Sequence, residues 1–179
     1  DTFQREIAVS WQTDFHFPDG PKDVEAVAVD IERKRAIFLN KRELPLRLYS
    51  VPLFPTNGKI IAEKIGELVA VPRYRSDLSG LYGRTALYLG LPTGMDLFED
   101  KLLITTYRNA YLYNFEALEE QPEEIPLPFS GQREAITFGL QSSRTAYVSR
   151  ERKNGTQVAD IFEIIFNDLA DYEKRMDAL

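Results

Sequence analysis

Cysteine is absent from the sequence, and histidine and tryptophan occur once each. Without thiols the chain has neither a disulfide framework nor a thiolate metal site, whichever compartment it occupies. The lone histidine, His16, rules out two-histidine metal spacings, and a Ser-His-Asp triad would have to use it. It stands in an extended run before a Pro18-Asp19-Gly20 turn with no nucleophile motif beside it, and reads as a strand or surface histidine. Glycine-rich phosphate loops are missing as well. No apolar run approaches the roughly 18–20 residues of a membrane span. Basic charge is in deficit: the net charge of −6 lacks the basic face of a nucleic-acid-binding domain, so no nucleic-acid partner is expected.

What remains is a folded, strand-forming composition. Of the 179 residues, 44% are hydrophobic and 12% aromatic, far from the profile of a disordered chain. Tyrosine and phenylalanine supply nearly all the aromatics, and with Val, Ile and Thr they favour strands. The length suits one domain with a sizeable core.

A repeat organises these strands. Asp23-Val-Glu-Ala-Val-Ala-Val-Asp30 returns as Gly94-Met-Asp-Leu-Phe-Glu99 and as Arg133-Glu-Ala-Ile-Thr-Phe138. Each copy sets a carboxylate (Glu25, Asp96, Glu134) ahead of an apolar alternation. A second apolar run with basic residues at its end follows, then a third run carrying an aromatic. Tyr49, Tyr113 and Phe162 are read as matching positions packed between neighbouring units. A strand-rich unit repeating in this way predicts an all-β fold, a β-propeller of four-stranded antiparallel blades.

The expected organisation is a single propeller domain or fragment over 1–179. Residues 1–22 form the outer strand of a preceding blade, with one long strand over Glu6–Phe17. Blades occupy 23–70, 93–128 and 129–166. Residues 71–92 form a long loop and a short strand, and 167–179 a terminal helix capped by Asn167. That makes about three and a half blades, whereas a closed ring takes about four to eight. The start at Asp1, in mid-blade, is read as a truncation, so that the missing blades belong to the rest of the same chain.

A resemblance supports this organisation. The run Phe15-His-Phe-Pro-Asp-Gly-Pro-Lys-Asp-Val-Glu-Ala-Val-Ala-Val-Asp30 resembles a segment of the uncharacterised bacterial, often exported, β-propeller proteins. So do Asn40-Lys-Arg42 with Arg47-Leu-Tyr49, Pro92-Thr-Gly-Met-Asp96, Thr105-Thr-Tyr-Arg-Asn-Ala-Tyr111 and Gln132-Arg-Glu-Ala-Ile136. The likeness runs over most of residues 7–165. It implies a larger propeller and a periplasmic or extracellular location. Two hairpin tips depart from the family pattern: Phe98-Glu-Asp-Lys101 and Leu140-Gln-Ser-Ser143 replace a Ser-x-Asp-Gly turn.

In a propeller the first strands line a central channel, so Glu25, Asp96 and Glu134 are expected at one mouth. Three such oxygens can hold a hard cation such as calcium, which could polarise a phosphoryl or carbonyl oxygen. Gluconolactonase-like and phytase-like propellers are similar in this respect, at the level of fold. The other reading is a ring of ion pairs. Lys41 follows Glu25 by sixteen residues, Arg150 follows Glu134 by sixteen, and Arg108 follows Asp96 by twelve. The matched spacing favours the ring. A further candidate is the loop with Arg73, Tyr74, Arg75, Tyr82 and Arg84, which mixes cations and aromatics suited to an anionic or carbohydrate ligand.

The expected function is therefore a non-catalytic binding or scaffold propeller of an exported bacterial protein, with a ligand or protein partner and no required cofactor. The alternative is a calcium-dependent hydrolase of phosphoester or lactone substrates.

Overall fold

Period-two alternation of apolar residues governs the chain, and the computed structural model turns it into strands almost throughout. Residues 8–54, 58–69, 90–127, 132–140, 142–151 and 161–166 are described; among them are thirteen strands and no helix. Of the proposed loop and short strand over 71–92, residues 71–89 lie outside the described residues, as does the helix at 167–179.

Three antiparallel sheets follow one another along the chain. The first has the order β2–β3–β4–β6, formed by Val24–Asp30, Arg35–Asn40, Arg47–Pro52 and Glu63–Glu67. The second is β7–β8–β9–β10, formed by Pro92–Phe98, Lys101–Thr106, Asn109–Asn114 and Glu123–Pro126. The third is β11–β12–β13, formed by Arg133–Gly139, Ser142–Arg150 and Ile161–Ile165. In each, sequential strands are joined as hairpin neighbours, the meander that the repeat predicts. At the β7–β8 tip Phe98 pairs with Lys101 across a two-residue turn, with Glu99 in the left-handed region at φ 53°.

The remaining two strands correct one expectation. The long strand predicted over Glu6–Phe17 reduces, among the described residues, to β1 (Phe15–His16), which runs parallel to β5 (Ile60–Ile61). A strand needs a partner for its amides, and only this short stretch lies beside one; Val9 and Trp11, further back, are exposed. The chain then passes from β5 into β6 and joins the first sheet, with Ala62 N still donating to His16 O at 2.8 Å.

Two apolar layers hold the sheets face to face. Ala26, Ala28, Ile37, Leu39 and Leu48 of the first sheet pack on Met95, Leu102, Ile104, Tyr111 and Tyr113 of the second. Leu103, Ala110 and Leu112 on the other face of the second sheet pack on Ile136, Phe138, Ala146, Val148 and Ile164 of the third. A smaller cluster lies on the outer face of the first sheet, where Phe15, Phe17, Ile60 and Ala62 cover Phe38, Tyr49 and Val51. The first strands β2, β7 and β11 are packed side by side, β2 on β7 and β7 on β11. Ends distant in sequence therefore meet at one place.

Candidate functional site

Each first strand opens with the same irregularity. The register slips between Val24 and Ala26, between Pro92 and Gly94, and between Arg133 and Ala135. The extra residue of each bulge is Glu25, Thr93 or Glu134. Bulges re-aim side chains and often stand next to functional sites. Here they also fix which residues are equivalent. Glu25 and Glu134 correspond to one another, as the repeat suggests, but their counterpart in the second sheet is Thr93. Asp96 stands three residues further on. Aligning the copies by their carboxylates hides this, because the bulge, not the charge, keeps the register.

The second strands shift the pairing in the same way. Asn40, Thr106 and Arg150 lie opposite Val24, Pro92 and Arg133. The residues that follow them, Lys41, Tyr107 and Glu151, stand beside the bulges. Lys41 N donates to Asp23 O and Glu151 N to Gln132 O, each at 2.8 Å. Asn40 and Thr106 tie the next hairpins. The Asn40 Nδ2 donates to Glu43 O at 2.8 Å, and Thr106 Oγ1 accepts from Arg108 N at 3.2 Å and Asn109 N at 3.1 Å. Arg150 lays its guanidinium over the Phe162 ring at 5.9 Å. Arg108 is exposed on the hairpin beyond Tyr107.

The residues that meet at this end are thus Glu25, Lys41, Tyr107, Arg133, Glu134 and Glu151. Lys41 is fully buried, donates to the Glu25 carboxylate, and lies 5.6 Å from the centre of the Tyr107 ring. A buried ammonium needs such a partner, because desolvation without one would neutralise it. Arg133 is buried too; its Nη1 donates to Tyr107 O at 2.5 Å, while Nη2 has no hydrogen-bond partner among the described residues. Burial pushes the Arg133 guanidinium down from its usual range. Glu134 reaches solvent, yet its carboxyl is raised above the ordinary glutamate range. Partial burial is the main cause, followed by the charges of Glu151 and Glu25, with Lys41 opposing them. The third sheet has an acid where the first has Lys41, so this shared strand end is acidic on one side and ion-paired on the other.

Asp96 does different work. Its Oδ1 accepts from Leu97 N at 2.9 Å, and its Oδ2 accepts from Phe138 N and from Thr137 Oγ1, both at 2.8 Å. One carboxylate therefore ties the exposed edges of β7 and β11 together. Gly94 lets the strands come that close, since a Cβ there would stand 3.0 Å from Ala135 Cα and Ile136 N. Among the described residues no group of three or more His, Asp or Glu side chains is placed to hold a metal ion. The arginines and tyrosines at 73, 74, 75, 82 and 84 lie outside the described residues.

Tyr107, Arg133, Thr93 and Glu151 were not singled out by sequence reasoning. Their signal was the register of the two strands, which becomes visible only when the bulge is counted. A similar offset affects the aromatics: the position equivalent to Tyr49 and Phe162 is Tyr111, not Tyr113.

Elsewhere, a cleft of about 660 Å³ runs between β6 and residues 115–119. Arg33 and Arg35 flank the Phe115 ring there, at 5.9 and 5.5 Å, and both bond Asp30. Burial alone would raise the Asp30 carboxyl, but the Arg33 backbone N–H and the two guanidinium groups hold it below the ordinary aspartate range. His16 is exposed on β1, beside a small cleft of about 320 Å³.

No protein-family model matches the chain, and no curated protein matches it. Among solved structures, that of a luciferin-regenerating enzyme matches over 79% of this chain and 44% of that one, with a TM-score of 0.50 at 10% identity. The chain spans less than half the length of that structure. At such low identity the likeness concerns the fold alone. Among the described residues no helix is long and apolar enough to cross a membrane.

Proposed function

We propose that the three sheets are consecutive blades of a β-propeller, and that its mouth is a binding or scaffold surface without a catalytic role. The side-by-side first strands, the equivalent bulges and the repeated face-to-face packing support the propeller. The setting in an exported bacterial protein rests on the segments that resemble that family. The ligand or partner meets a mouth in which Glu134 and Glu151 present carboxylates beside the Glu25–Lys41 pair.

The observation that carries this reading is the engagement of Lys41 with Glu25. A carboxylate neutralised by a buried ammonium supports structure rather than metal binding. A calcium-assisted hydrolase would need the oxygens of Glu25, Asp96 and Glu134 turned to one point. Both oxygens of Asp96 instead accept protein donors.

The test is Glu134→Gln, followed by thermal unfolding with calcium and with chelator. The binding reading expects the same difference from the parent protein in both. Calcium-dependent stabilisation of the parent that disappears in the variant would establish the metal reading instead.

A further inference from the structure

The cleft between β6 and residues 115–119 lies at the far end of β2 from Glu25, where Asp30 closes that strand and holds Arg33 and Arg35. One bank is β6, the last strand of the first sheet. β4 pairs with one of its edges, and no strand among the described residues pairs with the other. All five β6 residues line the cleft. Lys64 and Glu67 stand opposite Tyr49 and Arg47, on one face of the sheet, whereas Glu63 and Gly66 stand opposite Ser50 and Leu48, on the other. A cleft lined from both faces follows the edge of the strand, where the backbone groups that β4 does not use point outward. The bulge at Ile65 leaves two residues on either side of it for further pairing.

The charges of the cleft are not balanced. Arg33 and Arg35 are bonded to Asp30, Arg33 also to Glu116, and Lys64 to Glu67. Glu63 on β6 and Glu119 on the facing bank are exposed and, among the described residues, have no cation within ion-pair distance. Every cation that lines the cleft is thus engaged, while one carboxylate on each bank is not. The charge that fits this space is positive.

We propose that the cleft takes an extended basic segment of a partner protein, added as a strand to the outer edge of β6, with its cationic side chains against Glu63 and Glu119. In this mode of recognition main-chain pairing supplies affinity and alternate side chains supply selectivity. Period two sends every second side chain toward the Glu63 face and the others toward Lys64 and Glu67, so cations should alternate with neutral residues. The volume of about 660 Å³ is that of a ligand site, and the net charge of −6 draws a basic segment toward the chain. The proposal does not rest on what the mouth binds.

Fluorescence anisotropy of a labelled peptide of about ten residues, alternating lysine and threonine, tests it on the whole protein. Saturable binding that weakens as salt rises is expected, about tenfold or more tighter than for the glutamate–threonine counterpart. Glu63→Gln/Glu119→Gln, two exposed substitutions outside the core, should weaken it about three- to tenfold. The lysine peptide with every backbone amide methylated keeps its charges but cannot donate to β6, and should not bind. Absence of saturable binding by the lysine peptide would overturn the proposal. So would equal binding of the methylated peptide, or displacement by an equal concentration of spermidine, since either would leave a cation site without an added strand. Binding lost in Glu134→Gln/Glu151→Gln but kept in Glu63→Gln/Glu119→Gln would overturn it too, by moving the peptide to the mouth. The calcium comparison that decides the reading of the mouth is a separate measurement.

Discussion

Asp96→Ala removes the carboxylate that joins the second and third sheets, and its cost follows from the geometry. Three donors lose their acceptor: Leu97 N, Phe138 N and Thr137 Oγ1. Hydrogen bonds to a charged group contribute about 1.5–3 kcal/mol each when they are well shielded. The Thr137 hydroxyl is exposed and recovers water, so its loss counts for little. Phe138 N is half-buried at a strand edge and carries most of the effect, with a smaller part from Leu97 N. The sum is about 2–4 kcal/mol. At roughly 2–4 °C per kcal/mol for a chain of this size, Tm falls by about 4–16 °C.

Chemical denaturation and calorimetry measure this directly, and a cycle with Thr137→Val separates the parts. Thr137→Val alone should cost about 0.5 kcal/mol or less, and the double variant less than the two singles together, because both remove the same bond. Asp96→Asn, which retains one acceptor oxygen, should fall between the parent and Asp96→Ala. Equal losses with calcium and with chelator are expected throughout. A loss below about 0.5 kcal/mol for Asp96→Ala, the range of an ordinary surface substitution, would refute the clamp. A loss seen only with calcium present would make Asp96 a ligand and overturn its assignment as a tie between strands.

Three further outcomes follow from the same contacts. Gly94→Ala should destabilise by about 1–3 kcal/mol in denaturant titration, since its Cβ would meet backbone on β11 that cannot move away. The Glu134 carboxyl is raised in the folded state, so its ionised form opposes folding above that raised value, and the penalty vanishes below the unfolded value of about 4.3. Glu134→Gln should therefore raise Tm at neutral pH, and the advantage should close as pH falls through about 4. The Asp30 carboxyl is lowered, the opposite case: the stability it contributes is present above about 3.9 and is lost as pH falls below that. Asp30→Asn should flatten the acid limb of the pH–stability curve, read by far-ultraviolet circular dichroism.

Strand identity was legible because period-two alternation and turn residues act locally. The strands Val24–Asp30 and Arg133–Gly139 fall within one residue of the repeat copies at 23–30 and 133–138. The Pro18-Asp19-Gly20 turn also shows its purpose: Asp19 accepts from the Tyr49 hydroxyl at 2.9 Å, fixing the chain before β2. The lone strand before that turn was less legible, since the alternation of Val9 and Trp11 has no paired edge to act against. The pairing of charges was legible for Glu25 and Lys41, whose sixteen-residue spacing spans one hairpin. For Glu134 the same spacing misleads. A bulge and a different turn put Arg150 opposite Arg133 and bring Glu151 to the place of Lys41. Counting residues measures contour length, whereas contact depends on register, and one unpaired residue changes the register without changing the count.

The same reasoning explains why the second repeat carries Thr93 and Asp96 where the others carry a glutamate at the bulge. At the junction of the second and third sheets, Gly94 brings two strand edges into close approach, and the edge amides Leu97 N and Phe138 N both need an acceptor. A carboxylate on the bulge stays at the shared strand end, as Glu25 does beside Lys41; one placed three residues later can reach both amides. Moving the acid along β7 thus closes the junction and leaves a buried neutral hydroxyl at the bulge, where Thr93 Oγ1 donates to Thr105 O at 3.4 Å. The acidic character of this strand end then depends on Glu25, Glu134 and Glu151, with Lys41 as the cation that moderates them. Lys41→Met, which keeps the buried volume and removes that cation, should raise the Glu134 carboxyl further, followed by the carbon chemical shift of its side chain against pH. An unchanged titration would mean that Lys41 acts on Glu25 alone, and that the two carboxylates do not share one electrostatic environment.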